Sequence, residues 1–375
     1  MRRAVATLQD IAREVGVSSM AVSSVLNGSQ KGIRVSDATR VRILEAANRL
    51  QYRPNAVARG LSRRRMNTVG VVAEFYNTED IDVIIHQLLN GALEAAARLN
   101  QCLIVCPVPH PSSSSLKVLD ICDGRLDGLI FIGASLSEQL SEQLFRRLEY
   151  VSLYSTTPQQ HGVNLDADNE GGAYAMVRYL ASLGHKRIAH FAGPQHSAGS
   201  IERLTGYRRA LEDAGLECDP NLVFQTYFYI ESGRQTAKEL LETCSPAKMP
   251  TAIFCANDAI ASGATQVLHD RGIRIPEQIS VAGFDDCLVA LTTVRRLTTV
   301  RQPLRAMGVA AVELLLEQID VNEPERGRLV LGREPGQTAQ CLIDSGAATL
   351  GSRDKTLNFR TEVIVRESTG PPPSH

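Results

Sequence analysis

The sequence predicts a small all-α helix-turn-helix head with a hinge helix, followed by a two-lobed α/β body built on parallel sheets. Three observations carry that prediction. Residues 8–27 combine helical apolar spacing with caps and a turn. The charge changes sign near residue 66: residues 1–66 hold 13 Lys/Arg against four Asp/Glu, a net +9 inside a chain of net −1. From Thr68 onward, short apolar runs alternate twice over with helical stretches. A length of 375 residues and a hydrophobic content of 43% suit two or three domains with real cores.

In the head, Leu8, Ile11, Ala12 and Val15 fall at i, i+3, i+4 and i+7 and share one helix face. Thr7 with Asp10 makes a capping box, Gly16 suits a sharp turn, and Ser18 caps a second helix with the apolar stripe Val22, Val25 and Leu26. Ser19, Met20, Ser23 and Ser24 are left facing outward. Taken alone, these residues fit an ordinary helical hairpin equally well. The coincident basic excess weighs toward a polyanion at this end of the chain. After the loop GSQKGIR, Ser36 caps a third helix whose Val41, Leu44, Ala47 and Leu50 are expected to close the core, with Arg40, Arg42 and Arg49 on its surface. Pro54 ends that segment, and Asn55 can cap a new helix of about two turns. So short a helix, weakened by Gly60, needs DNA and a second copy to hold it.

The body begins with TVGVVAEF, QCLIVC, DGLIFIG and EYVSLY, separated by helical stretches, and continues with a second series, GVNLD, KRIAHFAG, TAIFCA and ISVAGF, interleaved with helices. This is the pattern of parallel sheets with crossover helices. Two series imply two lobes, and ligands bind beyond the carboxyl ends of parallel strands. The eight cysteines include no C-x-x-C pair and sit mostly in apolar runs, as reduced buried thiols do. No metal, cofactor or catalytic residue is expected. The chain shows neither a signal-peptide core nor a run able to span a bilayer, which points to a cytoplasmic, nucleoid-associated protein without membrane contact.

The run LQDIAREVGVSSMAVSSVLNG, followed by VS-ATR-RILEAANRL-YRPNAVARGL, resembles the head and hinge of the lactose/galactose repressor (LacI/GalR) family of bacterial transcriptional regulators. The resemblance continues through ASLGHKRIAHFAGP, RLTGYRRALEDAGL, TAIFCANDAIASGA, ISVAGFDD and LTTVRQPLRAMGVAAVELLLE, and implies a periplasmic-binding-protein-like effector domain. It implies that Asn55, Ala58 and Leu61 belong to a hinge that enters the minor groove, where Leu61 wedges a base step. Ser19, Met20, Ser23 and Ser24 would face the major groove. Ser24 stands where many members carry arginine, so a bidentate guanine contact is missing there, and the loop before Val35 is longer and adds Lys31 and Arg34. In the body the resemblance aligns Arg203, Asn257, Asp285 and Gln302 with the effector pocket. Phe75 lies in a first-strand loop that departs from the family pattern, and Tyr154 stands where an acidic sugar contact is frequent. Plainer roles compete: Asn257 and Asp168 as helix caps, Asp286 as a surface charge, and Arg203 as an ion-pair partner.

The domains expected are a DNA-binding head at 1–52, a hinge at 53–66, a first lobe at 67–161 and 291–320, and a second lobe at 162–290 and 359–368. Residues 321–358 read as a mobile surface insertion and 369–375 as a frayed tail. The function expected is transcriptional repression at a pseudo-palindromic operator by a homodimer or higher oligomer, controlled by a small-molecule effector of the sugar class. The alternatives are a sugar-processing enzyme using Asp285 and Asp286 as acid and base, or a sugar-binding module. Against the enzyme stand the missing phosphate loop, the missing G-x-S-x-G elbow and the absence of a metal-spaced His/Cys set.

Overall fold

The structure, a computed structural model, describes residues 6–27, 34–55, 58–60, 65–73, 82–107, 119–133, 138–155, 162–322, 336–351 and 355–373. The chain forms two compact units, Met1–Met66 and Asn67–His375.

The first unit holds α1 (Leu8–Val15), α2 (Ser19–Asn27) and α3 (Asp37–Arg49). Thr7 and Asp10 form the expected reciprocal box, and Ser18 Oγ accepts the Ala21 N–H at 3.2 Å. Ile11, Ala12, Val15, Val22, Val25, Ile43, Ala46 and Ala47 make the core. The inward face of α3 differs from the expected one, because Val41 and Leu44 are exposed. A second stripe, Ile43, Ala46, Ala47 and Leu50, keeps the i, i+3, i+4, i+7 spacing of one helix face and turns inward instead, and its alanines let α3 approach its neighbours closely. Two surface arginines also have local work. Arg42 Nη2 donates to Val15 O at the carboxyl end of α1 (2.7 Å), and Arg49 pairs with Glu14. Farther on, Asn55 Oδ1 accepts the Ala58 N–H at 3.3 Å, the cap its sequence position suggests.

The second unit contains two principal sheets. Seven strands run in the order β11-β12-β5-β4-β3-β1-β2: β1 (Thr68–Ala73), β2 (Cys102–Pro107), β3 (Gly128–Ile132), β4 (Glu149–Leu153), β5 (Val163–Ala167), β11 (Ala348–Leu350) and β12 (Thr356–Phe359). All neighbours are parallel except β11 and β12. Helices α4 (Asp82–Arg98) and α5 (Glu138–Phe145) belong to this first lobe. The second lobe has a parallel sheet ordered β7-β6-β8-β9: β6 (Ile188–Ala192), β7 (Val223–Gln225), β8 (Ala252–Cys255) and β9 (Ser280–Ala282). Around it lie α6 (Asn169–Ser182), α7 (Ala198–Asp213), α8 (Ile230–Thr243), α9 (Asp258–Asp270) and the short α10 (Leu288–Thr292). Strands β10 (Thr299–Arg301) and β13 (Glu362–Ile364) pair antiparallel, and the bridges Ala282 to Thr298 and Asp285 to Arg301 attach β10 beside β9. Helix α11 (Leu304–Asn322) returns to the first lobe and packs along α4. Gly91 and Gly308 permit that approach, since a Cβ at either would meet the backbone carbonyl of Arg305 or Leu88 on the facing helix.

Several expected boundaries move. Residues 163–167 form β5, hydrogen-bonded between β4 and β12, so the first crossing between lobes follows Ala167 and not residue 161. Residues 298–301 lie with the second lobe, and the second crossing comes at Gln302. The described part of the supposed insertion is folded. Helix α12 (Gln337–Asp344) sets Leu342 and Ile343 against the first-lobe core, and β11 and β12 extend its sheet. A three- or four-residue strand among polar residues carries too little periodicity to be read from sequence. Residues 323–335 and 352–354 lie outside the described residues. The tail expectation also fails at Thr369 and Gly370, which are hydrogen-bonded to the second lobe. Ser368 is buried, its carbonyl accepts the Val281 N–H (2.9 Å) and its hydroxyl donates to Val281 O (2.6 Å). Gly370 O is held by Ser280 Oγ (3.1 Å) and by His185 Nε2 (2.8 Å), and His185 Nδ1 meets Thr251 Oγ1 at 2.9 Å.

Deleting residues 367–375 should therefore lower unfolding stability in urea by about 2–4 kcal/mol, given the net value of each lost buried hydrogen bond. An unchanged midpoint would show that this segment contributes nothing.

Candidate effector cleft and DNA-reading head

At the points where the chain crosses between lobes, polar side chains that are far apart in sequence form one connected chain. Tyr154, just past β4, donates its hydroxyl to Gln302 Oε1 (3.0 Å). Gln302 Nε2 donates to Asp285 Oδ1 (2.6 Å), and Arg203 Nη2 lies 3.8 Å from the same oxygen. Arg203 Nε donates to Asn169 Oδ1 (3.0 Å), and its Nη1 donates to the carbonyl of Ala256. Asn169 Nδ2 then reaches Asp166 Oδ1 (2.9 Å) and Glu202 Oε2 (3.1 Å). The guanidinium also lies over the face of Phe284, 3.8 Å from its centroid, with Phe228 at 5.9 Å. Of the expected pocket residues, the structure thus brings Tyr154, Arg203, Asp285 and Gln302 together.

Asn257 is placed differently. Its Oδ1 accepts the Ile260 N–H at 2.8 Å, which makes it the N-cap of α9, while its Nδ2 reaches Phe228 O at 3.4 Å. Asp168 caps α6 through the Gly171 N–H (2.9 Å). Asp286 is no free surface charge: its residue is half-buried and its carboxylate is held between Arg301 (2.7 Å) and Arg366. Phe75 lies outside the described residues. Sequence reasoning missed Asp166, Asn169, Glu202 and Phe228. The acidic run at the end of β5 was a usable signal for the first two.

The backbone at this site is strained. Tyr154, Asp285 and Asp286 have φ of 59°, 118° and 57°, in the left-handed half of the map that non-glycine residues seldom visit. Such angles persist only where surroundings impose them, and they cluster at binding sites. Charge is constrained as well. Burial pushes the Asp285 carboxyl up to about 6 against the opposing pull of Arg203 and Gln302. Burial, reinforced by the Asp285 charge, pushes Asp258 up to about 8. Burial, aided by the charges of Asp166 and Asp285, holds the Tyr154 phenol well above its ordinary value, so it remains a donor. The site is a desolvated set of guanidinium, carboxyl, amide and phenol groups at strand ends, suited to a small polar ligand. Among the described residues, no group of three or more His, Cys, Asp or Glu could hold a metal ion, and no helix is long and apolar enough to cross a membrane.

In the head, Met20 is 69% exposed, Arg34, Asn55 and Ala58 are exposed, and Ser19, Ser23 and Ser24 are half-buried on α2. Lys31 and Leu61 lie outside the described residues.

A helix-turn-helix unit followed by a two-lobed parallel α/β body defines a class, the DNA-binding regulators that carry an effector domain. Residues 7–55 match the model for bacterial regulatory proteins of the lacI family, and residues 177–338 match the periplasmic binding protein-like domain. The chain is 32% identical over 326 residues to the transcriptional repressor PurR of Vibrio atlanticus, covering 86% of this chain and 94% of that one. It is 32% identical over 308 residues to the regulator DegA of Bacillus subtilis, covering 80% and 88%. Among solved structures, a Lac repressor dimer bound to operator and the anti-inducer ONPF superposes with a TM-score of 0.75 at 25% identity, over 98% of this chain and 100% of that one. A complex of the regulator CelR with cellobiose gives 0.65 at 28%, over 97% and 99%. The protein belongs to the LacI family and is a transcriptional repressor of that type with an effector-binding domain, not an enzyme.

The two raised carboxyls set a pH dependence. Each binds its proton more tightly folded than unfolded, so the stability it contributes is complete below the ordinary carboxylate value and is lost as pH rises through its folded value. Burial acts oppositely on His185 and on His190, which it lowers to about 4; their contribution is complete above the ordinary histidine value and is lost as pH falls. Between about pH 6.5 and 8 the carboxyl effect dominates, so the urea midpoint should fall as pH rises, and Asp258→Asn should flatten that slope. A wild-type midpoint that is level across this window would contradict the charge assignment.

Proposed function

We propose that the protein represses transcription as a homodimer whose operator affinity is set by a sugar, or a closely related polar metabolite, bound between the two lobes of each body. The observation that carries this reading is the buried chain from Tyr154 through Gln302, Asp285 and Arg203 to Asn169, in which donors and acceptors from both lobes converge. Tyr154, Phe75, Arg203, Asp285 and Gln302 would contact the ligand, and Asn257 would add an amide while capping α9. Cellobiose in the CelR complex supports the sugar class.

On DNA, each head would place α2 in the major groove. Met20 offers a thymine methyl an apolar contact, Ser19, Ser23 and Ser24 offer short polar contacts to base edges, and Lys31 and Arg34 reach phosphates. Asn55 and Ala58 belong to the hinge that carries Leu61 into the minor groove between two half-sites of a pseudo-palindromic operator. The Lac repressor dimer on operator supports that arrangement. So do the apolar side chains that the body leaves exposed: Leu93 on α4 and Ile104 and Val105 on the edge strand β2 of one lobe, and Leu288, Leu291 and Val294 in the other. The effector would act by changing the separation of paired hinges that are ordered in only one arrangement of the dimer. Such a protein works on cytoplasmic, nucleoid-associated DNA.

Three outcomes test this reading. Leu61→Ala should weaken binding to DNA from the gene's own upstream region by about tenfold or more in gel shifts, as loss of an inserted wedge requires; equal affinity would sink the wedge assignment. Raising salt from 50 to 200 mM should weaken the wild-type complex by about 10³-fold or more, and a flat salt response would exclude phosphate-dominated binding. Calorimetric titration with a panel of sugars and purines should find a ligand whose binding is abolished by Arg203→Lys or Asp285→Asn while operator affinity without ligand persists. Unchanged titrations would remove these residues from the ligand site.

A further inference from the structure

Asp258, the first residue of α9, is fully buried, yet it belongs neither to the polar chain nor to the helix cap, a role Asn257 already fills. Its contacts run elsewhere. Oδ2 accepts the Cys287 N–H at 3.0 Å and lies 3.5 Å from Cys287 Sγ, while Oδ1 accepts the Thr299 hydroxyl at 2.5 Å. Its own N–H donates to Phe284 O at 2.8 Å. One residue therefore grips both flanks of the turn that carries Asp285 and Asp286, and it also grips β10. The neighbouring glycine makes room for this, because a Cβ at Gly283 would collide with Asp258 Oδ1.

What is gripped explains why a carboxyl should be buried here. Asp285 and Asp286 are consecutive non-glycine residues with positive φ, a pair that relaxes unless something external fixes it. Thr299 stands three residues before Gln302, where the chain leaves the second lobe for α11. Gln302 and Asp285 are hydrogen-bonded to each other, and their segments are separately fastened to the same carboxyl.

We propose that Asp258 is a positioning residue that fastens the strained turn bearing Asp285 to the crossover strand leading to Gln302, so that a ligand displacing Asp285 moves the interlobe connection with it. The functional half of this statement rests on the reading of Asp285 as an effector contact. The mechanical half does not. The groups facing Asp258 that titrate or carry charge are Asp285 from the turn, Cys287 from the start of α10 and Cys255 from β8, with Arg203 beyond Asp285.

Hydrogen exchange on the full-length, ligand-free protein tests the clamp. In Asp258→Ala, amides of residues 283–287 and 298–302 should both exchange about tenfold faster, as loss of shared buried hydrogen bonds predicts, while β6 keeps its protection. Thr299→Val should loosen mainly 298–302, and Asp258→Asn, which retains one acceptor oxygen, should fall between alanine and wild type. In the wild type, corrected for intrinsic rates, exchange at both segments should also change as pH passes through about 8, and Asp258→Asn should lack that step. Unchanged exchange in both Asp258→Ala and Thr299→Val would overturn the proposal, as would equal acceleration of β6. If exchange behaves as expected while Asp285→Asn leaves every ligand titration intact, the clamp stands and the effector reading of Asp285 fails.

Discussion

Arg203 is a cation held at 6% exposure, and the body around it is arranged so that its charge meets a partner on every side. Leaving a buried guanidinium unpaired is far more costly than any single hydrogen bond can offset. Asn169, the Ala256 carbonyl, Asp285 and the face of Phe284 all answer that requirement, and they come from three different segments. Those segments follow β5, β8 and β9, and the parallel strand ends together with the first crossing bring them to one place. The site and the interlobe connections are thus one feature. A ligand offering hydroxyls to Arg203 and Asp285 would compete with bonds that hold the lobes in their present relation.

The same logic accounts for the strain. A parallel sheet delivers its strand ends to one edge, but turning a carboxylate from β9 back toward α7 takes backbone angles that ordinary residues resist. The cost is borne by well-packed neighbours: Asp258 and Thr299 beneath the turn, and Arg301 and Arg366 around Asp286. The C-terminal segment adds to this support, since it runs against β9 and β10 through Ser368 and Thr369. Residues far from any ligand are in this way structurally committed to the site.

Much of this was legible in the sequence, for identifiable reasons. The caps at Thr7, Ser18, Ser36 and Asn55 follow from short polar side chains placed before helical periodicity, a local signal that tertiary packing did not override. Strands β1, β3, β6 and β8 are buried along their whole length, so they appear as continuous apolar runs. Short strands were not legible. β11, β12 and β13 are recognisable only by their partners, which is why a folded edge of the first lobe looked like an insertion. On α3 the expected stripe steps by three residues and drifts off a single face, whereas Ile43, Ala46, Ala47 and Leu50 keep the i, i+3, i+4, i+7 spacing and form the inward one. In the site, Arg203, Asp285, Gln302 and Tyr154 were found through resemblance. Asp166, Asn169 and Asp258 were not, because residues that act by holding other residues carry no motif of their own.

In the proposed mechanism, one ligand site at the lobe crossings governs affinity for one operator. Footprinting of the full-length protein on its own upstream DNA, with and without each member of a sugar and purine panel, tests it most directly. The footprint should show two protected half-sites related by a two-fold axis, with a hypersensitive centre, and a ligand should shift the midpoint of protection in wild type but not in Asp285→Asn. Protection that no ligand alters, or a ligand that shifts wild type and Asp285→Asn equally, would contradict it.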